Sequence, residues 1–257
     1  VRAQTLPAAA GWRWIATGFF IFRRNPPILG LLVITYWFTL LFLNILPVIG
    51  VLAAALAAPG LSVGLMQAAR NLERGQPASL QTLFGSLREN TRTLFALGGL
   101  YMFCTFGVLG LSALIDGGDL FNYLLASTKA ERAAVADADL TFSMLFVALL
   151  LLPVMMAYWF APVLAAWHRL PLGKSLFFSF IACLMNWRPF LVYGFGLLLV
   201  AGLIPGVLLG ILLALFPVGQ DFITSIVIVP VVLVIAPVTF ASFYAAYRDI
   251  FGISEIV

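Results

Sequence analysis

Residues 25–70 read NPPILGLLVITYWFTLLFLNILPVIGVLAAALAAPGLSVGLMQAAR, and from Asn25 to Ala69 no residue carries a formal charge. A helix crosses a hydrocarbon core in about 20 residues, so this run is long enough for two crossings. Pro47 and Gly50, in LPVIG, mark the turn between them. Four more charge-free runs follow, 93–115, 140–167, 189–220 and 222–247. The pattern predicts an all-α membrane protein with six spanning helices near 28–46, 49–69, 94–115, 141–166, 190–214 and 223–247. Pro205 lies inside the fifth, where a missing N–H and a ring clash predict a kink or break.

Composition points the same way. Charged residues make up 9 % of the chain and hydrophobic residues 63 %, with a mean hydropathy of +1.10. A soluble domain carries roughly 25 % charged residues, so a water-soluble fold is excluded. Twelve of the 14 basic residues fall on one side of the six-span alternation, and only Lys129 and Arg132 fall on the other. Segments rich in Lys and Arg stay cytoplasmic. That asymmetry predicts a bacterial inner-membrane protein with both termini inside. The pI of about 9.3 then reflects single and paired cations at span ends that meet anionic lipid, not nucleic acid. Two arginines follow the first apolar segment with no small-residue cleavage site after it, so the N-terminus does not read as a removable signal. The external connection 116–140 holds Asp116, Asp119, Glu131, Asp137 and Asp139, with a short surface helix expected over 128–138. Cys104 and Cys183 sit in different apolar segments and read as small packing residues.

Between the spans a device recurs. After Ser79, Leu80, Leu83, Phe84 and Leu87 fall at the i, i+3, i+4, i+7 positions of an amphipathic helix. A second copy runs from Ser175 to Asn186, and GWRWIATGFFIFRRNPP near the N-terminus is a third. Such helices are expected at the membrane interface. The helices that return toward the basic side also share a pattern. Pro59 precedes Arg70 by eleven residues, Pro237 precedes Arg248 by eleven, and Pro162 precedes Arg169 by seven. These matches divide one membrane domain, residues 1–257, into three tandem units near 7–70, 77–169 and 173–248. Each unit is an interfacial helix followed by a two-helix hairpin.

Candidate chemistry is sparse. Gly60-Leu61-Ser62-Val63-Gly64 matches the G-x-S-x-G string of serine hydrolases. It lies inside a predicted span, and the single histidine, His168, belongs to another helix. Gly60, Gly64 and Ala68 read instead as a small-residue face for helix packing. Gly202, Gly206 and Gly210 repeat the spacing in the fifth span. The predicted spans hold no Asp, Glu, Lys or Arg, which disfavours a carboxylate relay for ion coupling. Asn44 and Gln67, near span ends, read as caps. One histidine and two distant cysteines do not make a metal or haem site, so no catalytic, cofactor or metal residue is assigned and no enzyme activity is expected. The residues singled out for lipid headgroups are Arg13, Arg23, Arg24, Arg88, Arg92 and Arg188. Those singled out for packing or hinging are Pro59, Gly60, Gly64, Pro162, Gly202, Pro205, Gly206, Gly210 and Pro237.

The strings GWRWIATGFFIFRRNP (11–26), PGLSVGLMQAAR (59–70), ERGQP (73–77) and LFGSLREN (83–90) resemble a family of multi-pass inner-membrane proteins of β-proteobacteria, a domain of unknown function. The overall layout is also distantly similar to the membrane domain attached to some glycerophosphodiester phosphodiesterases, without their catalytic domain. These resemblances imply a fold and a location and carry no catalytic residue. Two functions fit the residues. One is an accessory or scaffold subunit, or an assembly factor, that contacts other integral membrane proteins. The alternative is a transporter or lipid-handling protein for an apolar or amphipathic cargo, with Pro59, Pro162 and Pro237 kinking helices that line a cavity. Membrane lipids are the expected partners in both.

Overall fold

The computed structural model describes residues 2–46, 49–125, 140–216 and 219–252. They form helices, and among the described residues there is no strand. Six helical stretches are long and apolar enough to cross a membrane, as expected. In chain order the elements are α1 (Ala10–Arg24), α2 (Pro26–Asn44), α3 (Ile49–Glu73), α4 (Leu80–Gly85) with a 3-10 turn over Ser86–Arg88, and α5 (Thr91–Asp116). Then come α6 (Asp119–Leu125), α7 (Thr141–Tyr158), α8 (Ala161–Trp167), α9 (Leu172–Met185), α10 (Trp187–Leu197), α11 (Ile204–Leu215) and α12 (Gln220–Phe251). The expected turn at Pro47 and the expected surface helix over 128–138 lie outside the described residues, except for Gly50, which opens α3.

Local chemistry sets the starts and irregularities. Asn25 caps α2, its side chain accepting from the Ile28 N–H at 3.3 Å, with Pro26 and Pro27 in the first turn where no donor is needed. Ser79 and Thr82 form a capping box at α4. Pro59 is absorbed within a continuous α3. The fifth span is not broken at Pro205. It widens into a π-helical stretch over Leu198–Leu203 and resumes as α11. The extra residue per turn relieves the clash between the proline ring and the preceding turn.

A real break occurs elsewhere, in the fourth span, at Trp159 and Phe160 between α7 and α8. Here the hydroxyl of Ser179, on α9, takes the place of a rung in the helix ladder. It accepts from the Phe160 N–H at 2.9 Å and donates to the Met156 carbonyl at 2.8 Å. Pro162, which has no N–H, denies the Tyr158 carbonyl its usual donor one turn later.

The short helices pack in a cyclic order. α4 and its 3-10 turn lie on α3, α9 lies on α7 and α8, and α1 lies on α12 and α10. Each therefore rests on a span that returns toward the arginine-rich end, at a similar level. Ser86 donates to the Gly60 carbonyl, ten residues before Arg70. Ser179 meets Phe160, nine before Arg169. Gly18 meets Val238, ten before Arg248.

The core is concentrated at this end. Its buried cluster takes in α1, the first turns of α2, α5 and α10, and the closing halves of α3 and α12, with α8 between them. Close approach is made possible by glycine. A Cβ on Gly11 would lie 2.1 Å from the Pro189 carbonyl, one on Gly64 2.3 Å from the Leu83 carbonyl, and one on Gly98 2.2 Å from the Ala55 carbonyl. The Gly202, Gly206 and Gly210 stripe behaves differently. Among the described residues a Cβ on Gly206 or Gly210 would meet nothing within 4 Å, and one on Gly202 would meet only the side chain of Leu198 on its own span. The packing expected of that stripe is not made within the described residues, because α11 leans on little besides α12.

Candidate functional site

Two cavities sit over the same pair of helices, α3 and α8. The first is an apolar groove of about 480 Å³. α3 forms its floor through Val51, Ala54, Ala55, Ala58, Pro59 and Ser62. α2 contributes Tyr36, Leu40 and Asn44 to one wall, and α5 contributes Tyr101, Met102 and Thr105 to the other. Tyr158 and Pro162, on either side of the fourth-span break, close its inner end. Small residues on α3 leave the space, and the alternation of Ala with Pro59 keeps that face shallow. Two of the three prolines expected to line a cavity, Pro59 and Pro162, thus meet at one. Pro237 does not join them; it is buried in α12 beside the Gly18 contact.

Polar groups in the groove are few. Ser62 donates to the Pro59 carbonyl at 2.8 Å, Thr105 to Tyr101 at 2.9 Å and Asn44 to Leu40 at 2.8 Å, each within its own helix. Asn44 also lines the groove. Tyr101 and Tyr158 stack edge to face with centroids 5.1 Å apart. The Tyr158 hydroxyl is buried and has no hydrogen-bond partner among the described residues. A buried donor without an acceptor costs about 1–3 kcal/mol.

The second cavity, about 640 Å³, opens at the arginine-rich end. It is lined by Gln67 and Arg70 of α3, Arg88, Glu89 and Asn90 after α4, and Ala166, Trp167 and Arg169 at the end of α8. The Arg70 guanidinium lies 4.9 Å above the Trp167 ring. The Gln67 amide donates to Asn71 at 2.8 Å. Asn90 and Arg169 are the non-glycine residues with positive φ among the described residues, at 48° and 50°, a conformation that L-residues adopt at a cost. Asn90 also donates to the Ala165 carbonyl at 2.9 Å, which ties the α4–α5 corner to α8. Next to this pocket the His168 imidazole pairs with the Tyr247 hydroxyl at 2.6 Å. Burial holds His168 below its ordinary pKa, and nearby positive charge, Arg70 included, adds to the effect.

Between the cavities is one packed turn. The groove lining ends at Ser62 and Pro162 and the second cavity's begins at Gln67 and Ala166, and the intervening Val63–Met66 of α3 and Val163–Ala165 of α8 are all buried.

Of the six arginines singled out for headgroups, only Arg88 joins this pocket. Its companions Arg70 and Arg169 enter the sequence pattern only as the ends of the Pro-to-Arg repeats. Arg24 is engaged elsewhere, donating to the Leu72 carbonyl at 2.9 Å and lying 5.0 Å over the Phe20 ring. Arg188 lies over its neighbour Trp187, and Arg13, Arg23 and Arg92 are exposed. Gly60 and Gly64 face Leu87, Leu83 and Ser86 of the α4 region. Ser62 and His168, the G-x-S-x-G serine and the single histidine, are each bonded to other groups.

The family described as predicted integral membrane protein, DUF2189, matches residues 46–116, which take in α3, α4 and α5 and so the groove floor and one wall. Over 254 residues the chain is 36 % identical to a probable inner membrane protein of Burkholderia thailandensis, an alignment covering 96 % of this chain and 93 % of that protein. No solved structure matches the chain.

Proposed function

This chain belongs to the DUF2189 family of predicted integral membrane proteins, and on that premise we propose that it is a lipid-handling protein of the inner membrane that binds an apolar or amphipathic chain in the α2–α3–α5 groove. The observation that carries this reading is the groove itself. It is walled by three spans, is open rather than enclosed, and presents the Tyr158 hydroxyl, which has no acceptor among the described residues. A lipid ester or hydroxyl oxygen beside an acyl chain satisfies both features at once, since apolar contact fills the space and one acceptor meets the buried donor. Among the described residues no Asp, Glu, Lys, Arg or His lines the groove, which suits a cargo that brings no net charge to mid-membrane. Twelve of the 14 cations fall at the end toward which α3, α8 and α12 run. In this reading that end is cytoplasmic.

The test is photolabelling in reconstituted vesicles with a phosphatidylethanolamine whose acyl chain carries a diazirine. Label concentrated on α2, α3 and α5 peptides, and reduced by Ala58→Trp, which fills the groove, is the expected result. Label spread evenly over all lipid-facing spans, unchanged by Ala58→Trp, overturns the proposal.

A second reading, an accessory subunit that contacts other membrane proteins, is favoured by the fifth span. Only 6 % of its apolar window is buried, and its Gly206 and Gly210 face stands open. Bulky substitution at Gly206 and Gly210 that displaces a stoichiometric co-purifying membrane protein is its expected signature. A chain that purifies without any such protein counts against it.

A further inference from the structure

The basic cavity is not explained by a groove that accepts uncharged chains. Arg70, Arg88 and Arg169 come from three separate elements and converge on one space. Among the described residues, every ion pair belongs to Arg248, with Glu73 and Asp249. The three guanidiniums are therefore not spent on carboxylates. Glu89 is also in the lining, which leaves two formal positive charges in excess. Their placement is built rather than incidental. Asn90 and Arg169 hold left-handed backbone, and the Asn90 amide clamps the two corners together through the Ala165 carbonyl. Arg70 is further oriented by its stacking on Trp167.

We propose that this cavity is a binding site for a phosphate monoester that enters from the arginine-rich end. Guanidinium forks match the oxygens of a phosphoryl group. A monoester near neutral pH carries between about −1.5 and −2, which balances the excess charge, whereas a phosphodiester carries half of that or little more. The buried turn of Val63–Met66 and Val163–Ala165 separates the cavity from the groove, so this site does not rest on the groove reading. The same phosphoryl chemistry comes from two sources, the headgroup of a phosphatidic acid or a soluble phosphate.

The experiment uses the full chain in mild detergent, titrated with dioctanoyl phosphatidic acid, inorganic phosphate and dioctanoyl phosphatidylglycerol. Phosphatidic acid is expected to bind about tenfold or more tightly than phosphatidylglycerol. R88Q/R169Q, whose side chains are exposed and whose loss leaves the fold intact, is expected to weaken binding about tenfold. R13Q/R23Q, at exposed positions outside the cavity lining, leaves it unchanged, and E89Q tightens it. Binding of phosphatidic acid alone supports the site with a membrane source. Matching binding of inorganic phosphate supports it with a soluble one. The proposal is overturned if neither binds, if phosphatidylglycerol binds as tightly, or if R13Q/R23Q weakens binding as much as R88Q/R169Q. Failure of the photolabelling in the groove leaves these outcomes untouched.

Discussion

At the arginine-rich end the helices are held by many bonds between elements, while in the opposite half most polar side chains turn back on their own helices, and Asp116, which accepts from the Leu120 N–H of α6 and pairs with Ser143 of α7, is the exception. Ser86, Ser179, Asn90 and Asn186 each reach the backbone of another element, and Tyr193 meets Ser242 at 2.6 Å. Thr39, Asn44, Thr105 and Ser225 donate instead to carbonyls four residues back. Burial follows the same line. The large core occupies the arginine-rich half, and the opposite half has a small cluster of Val108, Leu120, Leu140 and Val147. Leu114 is 82 % exposed and Ile49 71 %. Apolar burial alone gives no preference for one half, because lipid is as good a solvent for Leu as another helix is. The difference is made by close approach between helices at glycines and by hydrogen bonds, and both are concentrated at one end, the tight α2–α3 corner at Gly50 being the exception.

Adding a methyl group to a glycine in each half tests this most directly. Gly64→Ala drives a Cβ against the Leu83 carbonyl, and Gly18→Ala one to within 2.5 Å of the Val238 carbonyl. Each is expected to cost about 3 kcal/mol, read as the loss of thermal stability in detergent. Gly206→Ala, with open space around it, is expected to stay within about 0.5 kcal/mol of the parent. Equal losses at Gly64 and Gly206 would break the contrast between the two halves.

Removing one inter-element bond is the next largest change. Ser179→Ala leaves the Phe160 N–H and the Met156 carbonyl without their bridging hydroxyl. A loss of about 2 kcal/mol is expected, together with faster hydrogen exchange at Phe160. Asn186→Ala unties the N-terminal segment, since this buried amide accepts from the Leu6 N–H at 2.9 Å and donates to the Gln4 carbonyl at 3.0 Å. Limited proteolysis before Ala10 is expected to appear in that variant and not in the parent. A Thr105→Ala control, in the opposite half, should change neither readout.

How much of this was legible in the sequence depends on the range of the interaction. The six spans follow from charge-free length and the start of α4 from Ser79 before its apolar repeat, both local signals, while the Asn25 cap places the start of α2 at Pro26, two residues before the expected 28. The prolines were legible as irregularities but not their outcomes. Pro205 is accommodated by a π-helical stretch, whereas the helix breaks at Trp159–Phe160 because Ser179, twenty residues along the chain from Trp159, inserts there. The groove was not legible, since Tyr36, Tyr101 and Tyr158 come from three spans and each reads alone as an ordinary membrane tyrosine. The basic cavity was half legible. Arg88 stood out beside an amphipathic helix, but Arg70 and Arg169 gain meaning only when α3 and α8 lie side by side.

A salt-bridged latch joins the ends of α3 and α12 at the packed face. The Glu73 carboxylate pairs with Arg248 and accepts from the Tyr244 hydroxyl at 2.6 Å. Both charged side chains remain partly exposed, 25 % and 20 %, so Glu73→Gln is expected to cost only about 1 kcal/mol, with the loss shrinking in high salt.

The smallest expected effect is a slope with pH. Folding holds His168 below its ordinary pKa of 6.5, chiefly through burial and further through neighbouring positive charge. The unfolded chain therefore takes up more protons than the folded one once the pH falls below about 6.5. The stability tied to a neutral His168 is fully present above that value. It is lost as the pH drops toward the lower, folded pKa, where the imidazolium can no longer accept a hydrogen bond from the Tyr247 hydroxyl. His168→Gln keeps a group able to pair with Tyr247 but cannot titrate. Thermal melts of parent and variant between pH 7.5 and roughly pH 5 should therefore diverge on the acid side, with the parent falling more steeply. Parallel curves would mean that His168 is already solvated in the folded state, and that the packed end loosens beside the basic cavity.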